Sequence, residues 1–347
     1  MSEEYAERAR GCLLGLAVGD ALGRPAENLP PEEIARRWGR LTEIEPGRGG
    51  TDDTEYAIFA ASLLVRYGRA LTGDDVARAW REEIVGKIEG PMRGAGFSEL
   101  GTVQALRRGL APPMTGRWHP HGWSDGLAMR AAPYGIFAAG EPEEAARLVA
   151  VDGAVSHSGE GIWGGRAVAA AVAVAMTGAE PSTVVAAALA AVPEDSWTAR
   201  NLRAAVAVVA AHGADVAALN PRRPAVIGDP HEALSRELHE AVVARHYPWT
   251  DLAPEAVALA FAAYLTGGGD VEESVVVAAN LGRDADTTAA IAGALAGAGR
   301  GDDGVPDRWA AEIGPVAGAC LPGVAGRHVL DVADELVERA LEPVEGT

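Results

Sequence analysis

Two short segments hold the densest oxygen-donor chemistry in the chain. Gly49-Gly50-Thr51-Asp52-Asp53-Thr54 runs into an apolar-periodic stretch starting at Glu55, and Gly282-Arg283-Asp284-Ala285-Asp286-Thr287-Thr288 runs into an Ala-rich one. Carboxylates flanked by threonine hydroxyls are the ligands that hard divalent cations such as Mg²⁺ take, and the glycines let the backbone turn so that the acids converge. For either segment alone the plain alternative is helix capping, since Asp and Thr favour N-caps and offset the helix macrodipole. One cap needs one residue, and each segment offers several. If the two helix starts meet, four carboxylates share a cleft, and a pair of divalent cations would remove their mutual repulsion.

Other readings of these and neighbouring motifs fail on their requirements. Asp284-Ala285-Asp286-Thr287-Thr288 is DxDxT, the opening of a haloacid-dehalogenase phosphatase, but no lysine follows it and the remaining chain is too short for that domain. As an EF-hand loop it would place Ala289 where glycine is needed and Leu295 where glutamate is needed. Gly159-Glu160-Gly161-Ile162-Trp163-Gly164 satisfies GxGxxG without a strand before it, which argues against a dinucleotide fold. No GxSxG elbow occurs, so Ser156-His157-Ser158 is either a polar loop with a hydrogen-bonded histidine or a substrate contact.

Two further segments pair polar groups with helix breaks. Gly11, Gly15 and Gly19 lie four apart on an apolar helix that breaks at Gly23 and Pro25, a spacing suited to a close helix crossing. Asp20 in that setting is costly unless hydrogen-bonded, and Glu27 just past the break can point into a cleft. Ser124-Asp125-Gly126 forms a polar turn before a segment carrying Arg130 and Pro133. Taken alone, each is explained by structure.

The elements that must position these residues are read as helices. The 347 residues are 48% hydrophobic but only 5% aromatic, and the apolar content is Ala, Val and Leu in long segments. Helical spacing covers 4–18, 55–67, 73–84, 102–109, 127–138, 143–151, 165–177, 181–191, 198–211, 231–244, 254–265, 271–281, 287–298 and 328–341. The Val-rich runs at 184–192 and 271–279 are assigned to helices by length and Ala content. Residues 219–230 read as one long surface loop. With no linker or repeat dividing it, the chain is expected to be one compact all-α domain spanning 1–347.

Composition excludes several classes. Thirty Lys and Arg against 49 Asp and Glu leave a formal charge of −19, which repels a phosphate backbone, so no nucleic-acid partner is expected. Lys87 is the only lysine, which removes a Walker-type phosphate loop. Cys12 and Cys320 lie far apart, so neither a disulfide framework nor a thiolate zinc site is indicated. No apolar run approaches the ~18 residues of a membrane span, and the first residues are acidic where a signal peptide would be basic. A cytoplasmic protein without a membrane partner is expected, as a monomer.

Taken together and in this order, the blocks at 15–27, 50–54, 124–135, 156–165 and 282–293 resemble the ADP-ribosylglycohydrolase family, of which the dinitrogenase-reductase-activating glycohydrolase is the best-known type. The pairing of Thr51-Asp52-Asp53-Thr54 with the late Asp284-Ala285-Asp286-Thr287 carries the resemblance. It implies an orthogonal helical bundle and a hydrolase with two Mg²⁺ ions, Mn²⁺ being the alternative, that cleaves the N- or O-glycosidic bond between ADP-ribose and an acceptor. Thr51, Asp52, Asp53, Asp284, Asp286 and Thr287 would ligate the metals. Glu27, Asp53 and Asp286 would be catalytic, with Asp286 as bridging ligand and water orienter and Glu27 as acid/base. Asp125 and Gly126 fall where many relatives have Asn-Gly beside the ribose, and Ser156 and His157 would join them as substrate-binding residues. Arg24, Arg130 and Arg283 are the arginines near enough in sequence to favour a diphosphate. An extra carboxylate at Asp125 keeps open a smaller, neutral ribosyl glycoside as substrate. A non-catalytic ADP-ribose-binding or structural member is the third reading.

Overall fold

Alanine and leucine give up little side-chain entropy in a helix, and the segments they dominate are helical. The computed structural model describes residues 2–88, 92, 94–213 and 230–342. Its first part holds α1 (Ser2–Gly23), α2 (Pro31–Trp38), α3 (Asp52–Tyr67), α4 (Gly73–Ala79), α5 (Phe97–Arg107) and α6 (Met114–Arg117). Then come α7 (Ala132–Phe137), α8 (Pro142–Ser156), α9 (Glu160–Ala175), α10 (Pro181–Ala190) and α11 (Trp197–Ala211). The last part adds α12 (Pro230–Val242), α13 (Ala253–Thr266), α14 (Val271–Asn280), α15 (Ala285–Arg300), α16 (Asp307–Ala310) and α17 (Val329–Leu341). Among the described residues there is no strand, only an isolated antiparallel bridge between Ser124 and Leu252. The chain is all-α, as its composition indicates.

The glycines of α1 meet small residues of α15. A Cβ on Gly11 would overlap the backbone at Gly297 and Gly301; on Gly15, the Gly293 carbonyl; on Gly19, Ala289; on Gly23, Ala285 and Asp286. Rising numbers on one helix pair with falling numbers on the other, so the two run antiparallel with backbones touching. That contact fixes their register, and with it the position of Asp20 on α1 relative to Asp286 in the first turn of α15. Around the pair, α13 and α15 are buried along nearly their whole length, as expected of helices that are apolar on every face. One hydrophobic cluster runs from Ala9 on α1 to Val337 on α17.

Several boundaries differ from the sequence reading for physical reasons. The segment 127–138 is helical only over Ala132–Phe137. Pro133 fits a first turn, but in a longer helix its ring would clash with the carbonyl of Met129. The segment 73–84 is α-helical to Ala79 and then widens into a π-helix over Trp80–Val85. Helix α2 was not anticipated, because Pro31–Trp38 carries only one buried residue, Ile34. The loop read at 219–230 lies outside the described residues except for Pro230, which opens α12.

Candidate active site

Both acidic segments sit at helix starts, and neither N-cap side chain does the capping, although Asp286 Oδ1 accepts the Thr287 N–H at 3.1 Å. Thr51 is the N-cap of α3 and Asp284 that of α15, yet neither side chain makes a cap hydrogen bond. At α3 the work is done from outside by Asp20. Its buried carboxylate accepts the Thr51 N–H at 2.8 and 2.9 Å, the Thr54 N–H at 3.1 Å and the Thr54 hydroxyl. Gly50 must lack a side chain here, since a Cβ would strike Asp20 and Thr54. The cost of burying Asp20 is thus met by hydrogen bonds, and Asp52 and Asp53 are left to face the cavity.

The second helix start is aligned by a backbone clasp. The Asn28 N–H donates to the Arg283 carbonyl at 2.7 Å and the Arg283 N–H to the Leu29 carbonyl at 3.0 Å. Asn28 and Arg283 have φ of 61° and 62°, a left-handed conformation that costs non-glycine residues energy. The clasp brings Glu27, at the exposed rim, beside Asp284 and Asp286.

Two acidic groups result: Asp20, Asp53 and Asp286 offer carboxylate oxygens within 4.8 Å of one another, as do Glu27, Asp284 and Asp286. Asp286 belongs to both. The carboxylates are poorly compensated: Asp53 Oδ1 and Asp125 Oδ2 are buried without a hydrogen-bond partner. Burial raises the pKa of Asp53 well above the usual carboxylate range, with Asp20, Asp286 and Asp52 adding to the shift. Burial likewise pushes Asp52 up to about 8, helped by Glu99 and Asp20, and raises Asp284 and Asp286. These acids resist ionisation without positive charge, and oxygen-rich clusters of this kind fit a hard divalent cation. The structure therefore holds acidic clusters that could bind metal.

The groups open into a cavity of about 1090 Å³, lined by Glu27, Thr51, Asp52, Asp53, Asp125, Gly126, Asp284, Asp286 and Thr287 among others. Ser156 and His157 are not on its wall. Both are buried behind it: Ser156 Oγ bonds Arg130 and His157, and His157 Nε2 lies 3.1 Å from Ser124 Oγ, which does line the cavity. Of the three arginines expected to favour a diphosphate, only Arg24 lines the cavity, joined by Arg48. Arg130 is fully buried between Asp152 and Glu99. Arg283 is held by Glu255 and by the Trp249 carbonyl. Each is already balanced by a carboxylate of the fold.

Sequence reasoning missed other wall residues. Glu99, Ser98, Phe97, Trp249 and Asp251 line the cavity without belonging to any motif. Glu55 was passed over as the first residue of a helix, yet its carboxylate accepts the N–H groups of Ala319, Cys320 and Leu321 at 2.7, 2.9 and 2.6 Å and holds that cavity-lining loop to α3. Asp20, which does not line the cavity, does show in the sequence, as a lone acid in an apolar helix.

Fold and site define an all-α protein whose cavity gathers oxygen ligands at two helix starts. The family model described as ADP-ribosylglycohydrolase matches residues 1–344, and the chain belongs to that family. It is accordingly a glycosidic hydrolase, and family and relatives indicate ADP-ribosyl hydrolysis. An uncharacterised protein of Archaeoglobus fulgidus is 31% identical over 315 residues, 87% of this chain and 90% of the relative. The protein named ADP-ribosylarginine hydrolase Tri1 of Pseudomonas putida is 26% identical over 97% of this chain and 80% of its own length. The ADP-ribosyl-[dinitrogen reductase] glycohydrolase of Rhodospirillum rubrum is 28% identical over 44% of this chain and 52% of its own. A solved structure described as an ADP-ribosylglycohydrolase-related protein complex covers 98% of this chain and all of its own with a TM-score of 0.63 and 24% identity, a likeness of fold. Among the described residues no helix is long and apolar enough to cross a membrane.

Proposed function

We propose that the chain is an Mg²⁺-dependent hydrolase that removes ADP-ribose from a protein side chain or small acceptor, working as one domain over 1–347. The observation that carries this reading is the shared carboxylate, Asp286, common to two oxygen-donor groups at one cavity. Thr51, Asp52, Asp53, Asp284, Asp286 and Thr287 would hold two ions. The chemistry such ions supply is neutralisation of the carboxylates, fixing of the ribose cis-diol and a lowered pKa for water.

The chain's own groups then divide the reaction. Asp53, whose Oδ1 has no protein donor, accepts the proton of the attacking water, and Asp286 orients that water. Glu27, exposed at the rim, serves as acid/base toward the departing acceptor while positive charge develops at the anomeric carbon. Asp125 accepts a ribose hydroxyl, and Gly126 leaves room beside it: a Cβ there would strike Glu99. Ser156 and His157 support the wall from behind. Among the described residues, Arg24 and Arg48 are the arginines lining the cavity that a diphosphate would meet.

A second reading, hydrolysis of a small neutral ribosyl glycoside, is favoured by the carboxylates Glu99, Asp125 and Asp251 on the same walls. Calorimetric titration of the Mg²⁺-loaded protein with ADP-ribose, alongside Asp286→Ala, separates them. Binding that the variant loses supports the first reading. A wild type that takes up Mg²⁺ but not ADP-ribose overturns it and points to small ribosides.

A further inference from the structure

Glu99 is buried to 1% exposure, yet it lines the cavity. The backbone leaves space for it: a Cβ on Gly126 would collide with Oε1, and one on Gly96 would lie 2.8 Å from Oε2. Behind it runs a chain of hydrogen bonds that returns to its start. Arg130 Nη2 donates to Ser156 Oγ at 2.7 Å, and Ser156 Oγ lies 2.7 Å from His157 Nδ1. His157 Nε2 lies 3.1 Å from Ser124 Oγ, which donates to Ser98 Oγ at 2.8 Å, and Ser98 donates to Glu99 Oε2 at 2.6 Å. Arg130 Nη1 closes the ring on Glu99 Oε1 at 3.3 Å.

The two ends dictate the direction of every proton between them. A carboxylate only accepts, so the Ser98 proton points to Glu99 and Ser98 must accept from Ser124. Ser124, its proton spent, must accept from His157, which puts the histidine proton on Nε2. Nδ1 is then bare and takes the Ser156 proton, while the Ser156 oxygen takes that of the guanidinium, which only donates. Burial and the nearby Arg130 hold His157 neutral. Arg130 is fixed in turn by Asp152, at 2.9 and 3.3 Å.

We propose that Glu99 is a substrate-contacting, specificity-determining carboxylate, and that His157, with Ser156 and Arg130, is a positioning residue that holds it through this one-way ring. With one protein donor on each oxygen, Glu99 retains acceptor capacity on the cavity side. It selects a hydrogen-bond donor without negative charge, a sugar hydroxyl or a cationic N–H, and rejects phosphate. The assignment rests on the ADP-ribosyl reading for the ligand, but the ring can be tested without it.

The first measurement is long-range ¹⁵N correlation NMR of histidine-labelled wild type between pH 5 and 8. Expected is a His157 signal of the neutral Nε2–H tautomer throughout; an Nδ1–H tautomer or an imidazolium overturns the ring. The second is calorimetry on Mg²⁺-loaded protein with two probes, ADP-ribose and methylguanidinium, using Glu99→Gln, His157→Leu and His157→Gln, with melting temperature as the check on folding. Loss of one charge-assisted hydrogen bond weakens binding about tenfold to a hundredfold. If Glu99→Gln loses ADP-ribose, the donor is a sugar hydroxyl; if it loses only methylguanidinium, the donor is the acceptor's cation. His157→Gln, which keeps a donor near the Nε2 position, is expected to restore most of what His157→Leu loses. Unchanged affinity for both probes in Glu99→Gln, or equal behaviour of the two His157 variants, overturns the proposal. A wild type that shows the expected tautomer but binds no ADP-ribose refutes the ADP-ribosyl reading and leaves the ring standing.

Discussion

Two buried clusters of charge lie within this one molecule, and they are built on opposite plans. Around Arg130 the guanidinium meets Asp152, Glu99 and the Gly126 carbonyl, and three serines and a histidine link these groups into a ring. At the helix starts, Asp53, Asp284 and Asp286 converge without an ion pair to any arginine or lysine among the described residues, and Asp53 keeps an oxygen without a partner. The first cluster pairs its charges within the folded chain and so holds shape, with the cavity side of Glu99 left open to a ligand. The second is destabilising as it stands and so is ready to take up positive charge. A buried group is thus assigned to structure or to function by whether the fold satisfies it, which burial alone does not reveal.

The contrast breaks if changes in the two clusters have effects of the same kind. The largest effect expected is on activity: Asp286→Ala, which removes the carboxylate common to both acidic groups, lowers kcat/KM toward an ADP-ribosylated substrate more than about a thousandfold, roughly 4 kcal/mol. Its metal-free melting temperature stays level or rises. Arg130→Met should act first on stability. Losing one partner of a buried ion pair costs about 3–5 kcal/mol, read by urea unfolding of metal-free protein, because Asp152 and Glu99 are left buried and unpaired. If Asp286→Ala proved as unstable as Arg130→Met, the acidic groups would be structural and the contrast wrong.

Mg²⁺ sharpens the comparison through pH. The folded pKa of Asp52 is raised to about 8, so its contribution to stability is fully present below the ordinary carboxylate range and lost as pH rises toward 8. Asp284 and Asp286 shift in the same direction. Metal-free protein should therefore melt lower at pH 8 than at pH 5. Mg²⁺ competes with protons for the same oxygens, so it should stabilise strongly at pH 8, by about 2.7 kcal/mol at a hundredfold excess over Kd, and little at pH 5. Equal Mg²⁺ shifts at both pH values, measured by differential scanning fluorimetry, would place the ion elsewhere.

How much of this was legible follows the same division. The acidic segments announced themselves because four oxygen-bearing residues in a row at 51–54, echoed by the Asp/Thr run at 284–288, exceed what a cap requires, and the glycine spacing of α1 foretold a close crossing. Its partner, α15, was not foretold: which small-residue helix packs on which depends on the whole bundle. Arg130, Ser156 and His157 were recognised as polar residues worth explaining, but their place behind the wall depends on α5, α8 and the 124–126 turn meeting in space. Glu99 left no trace, since one acid in a short amphipathic helix looks like any solvated charge. Local chemistry shows in local sequence, whereas a hydrogen-bond ring assembled from three distant segments does not.

The smallest effect gives the finest test of why the acidic groups are strained. Asp53→Asn keeps the side chain's size but removes a charge that burial and three neighbouring carboxylates oppose. Below the ordinary carboxylate range Asp53 is protonated in the folded and the unfolded chain alike, so at about pH 3 the metal-free variant and wild type should unfold at the same urea concentration. As pH rises toward 8 the wild type must bury a charge or hold a proton against the solvent, and the variant need do neither. It should then be the more stable, by a margin that widens as pH rises toward the folded pKa. In saturating Mg²⁺ the order reverses, because the variant has lost a charged oxygen with which to hold the ion. A variant less stable than wild type at pH 8 without metal would mean that the Asp53 carboxylate is already satisfied by the fold, and the two clusters would then differ only in composition.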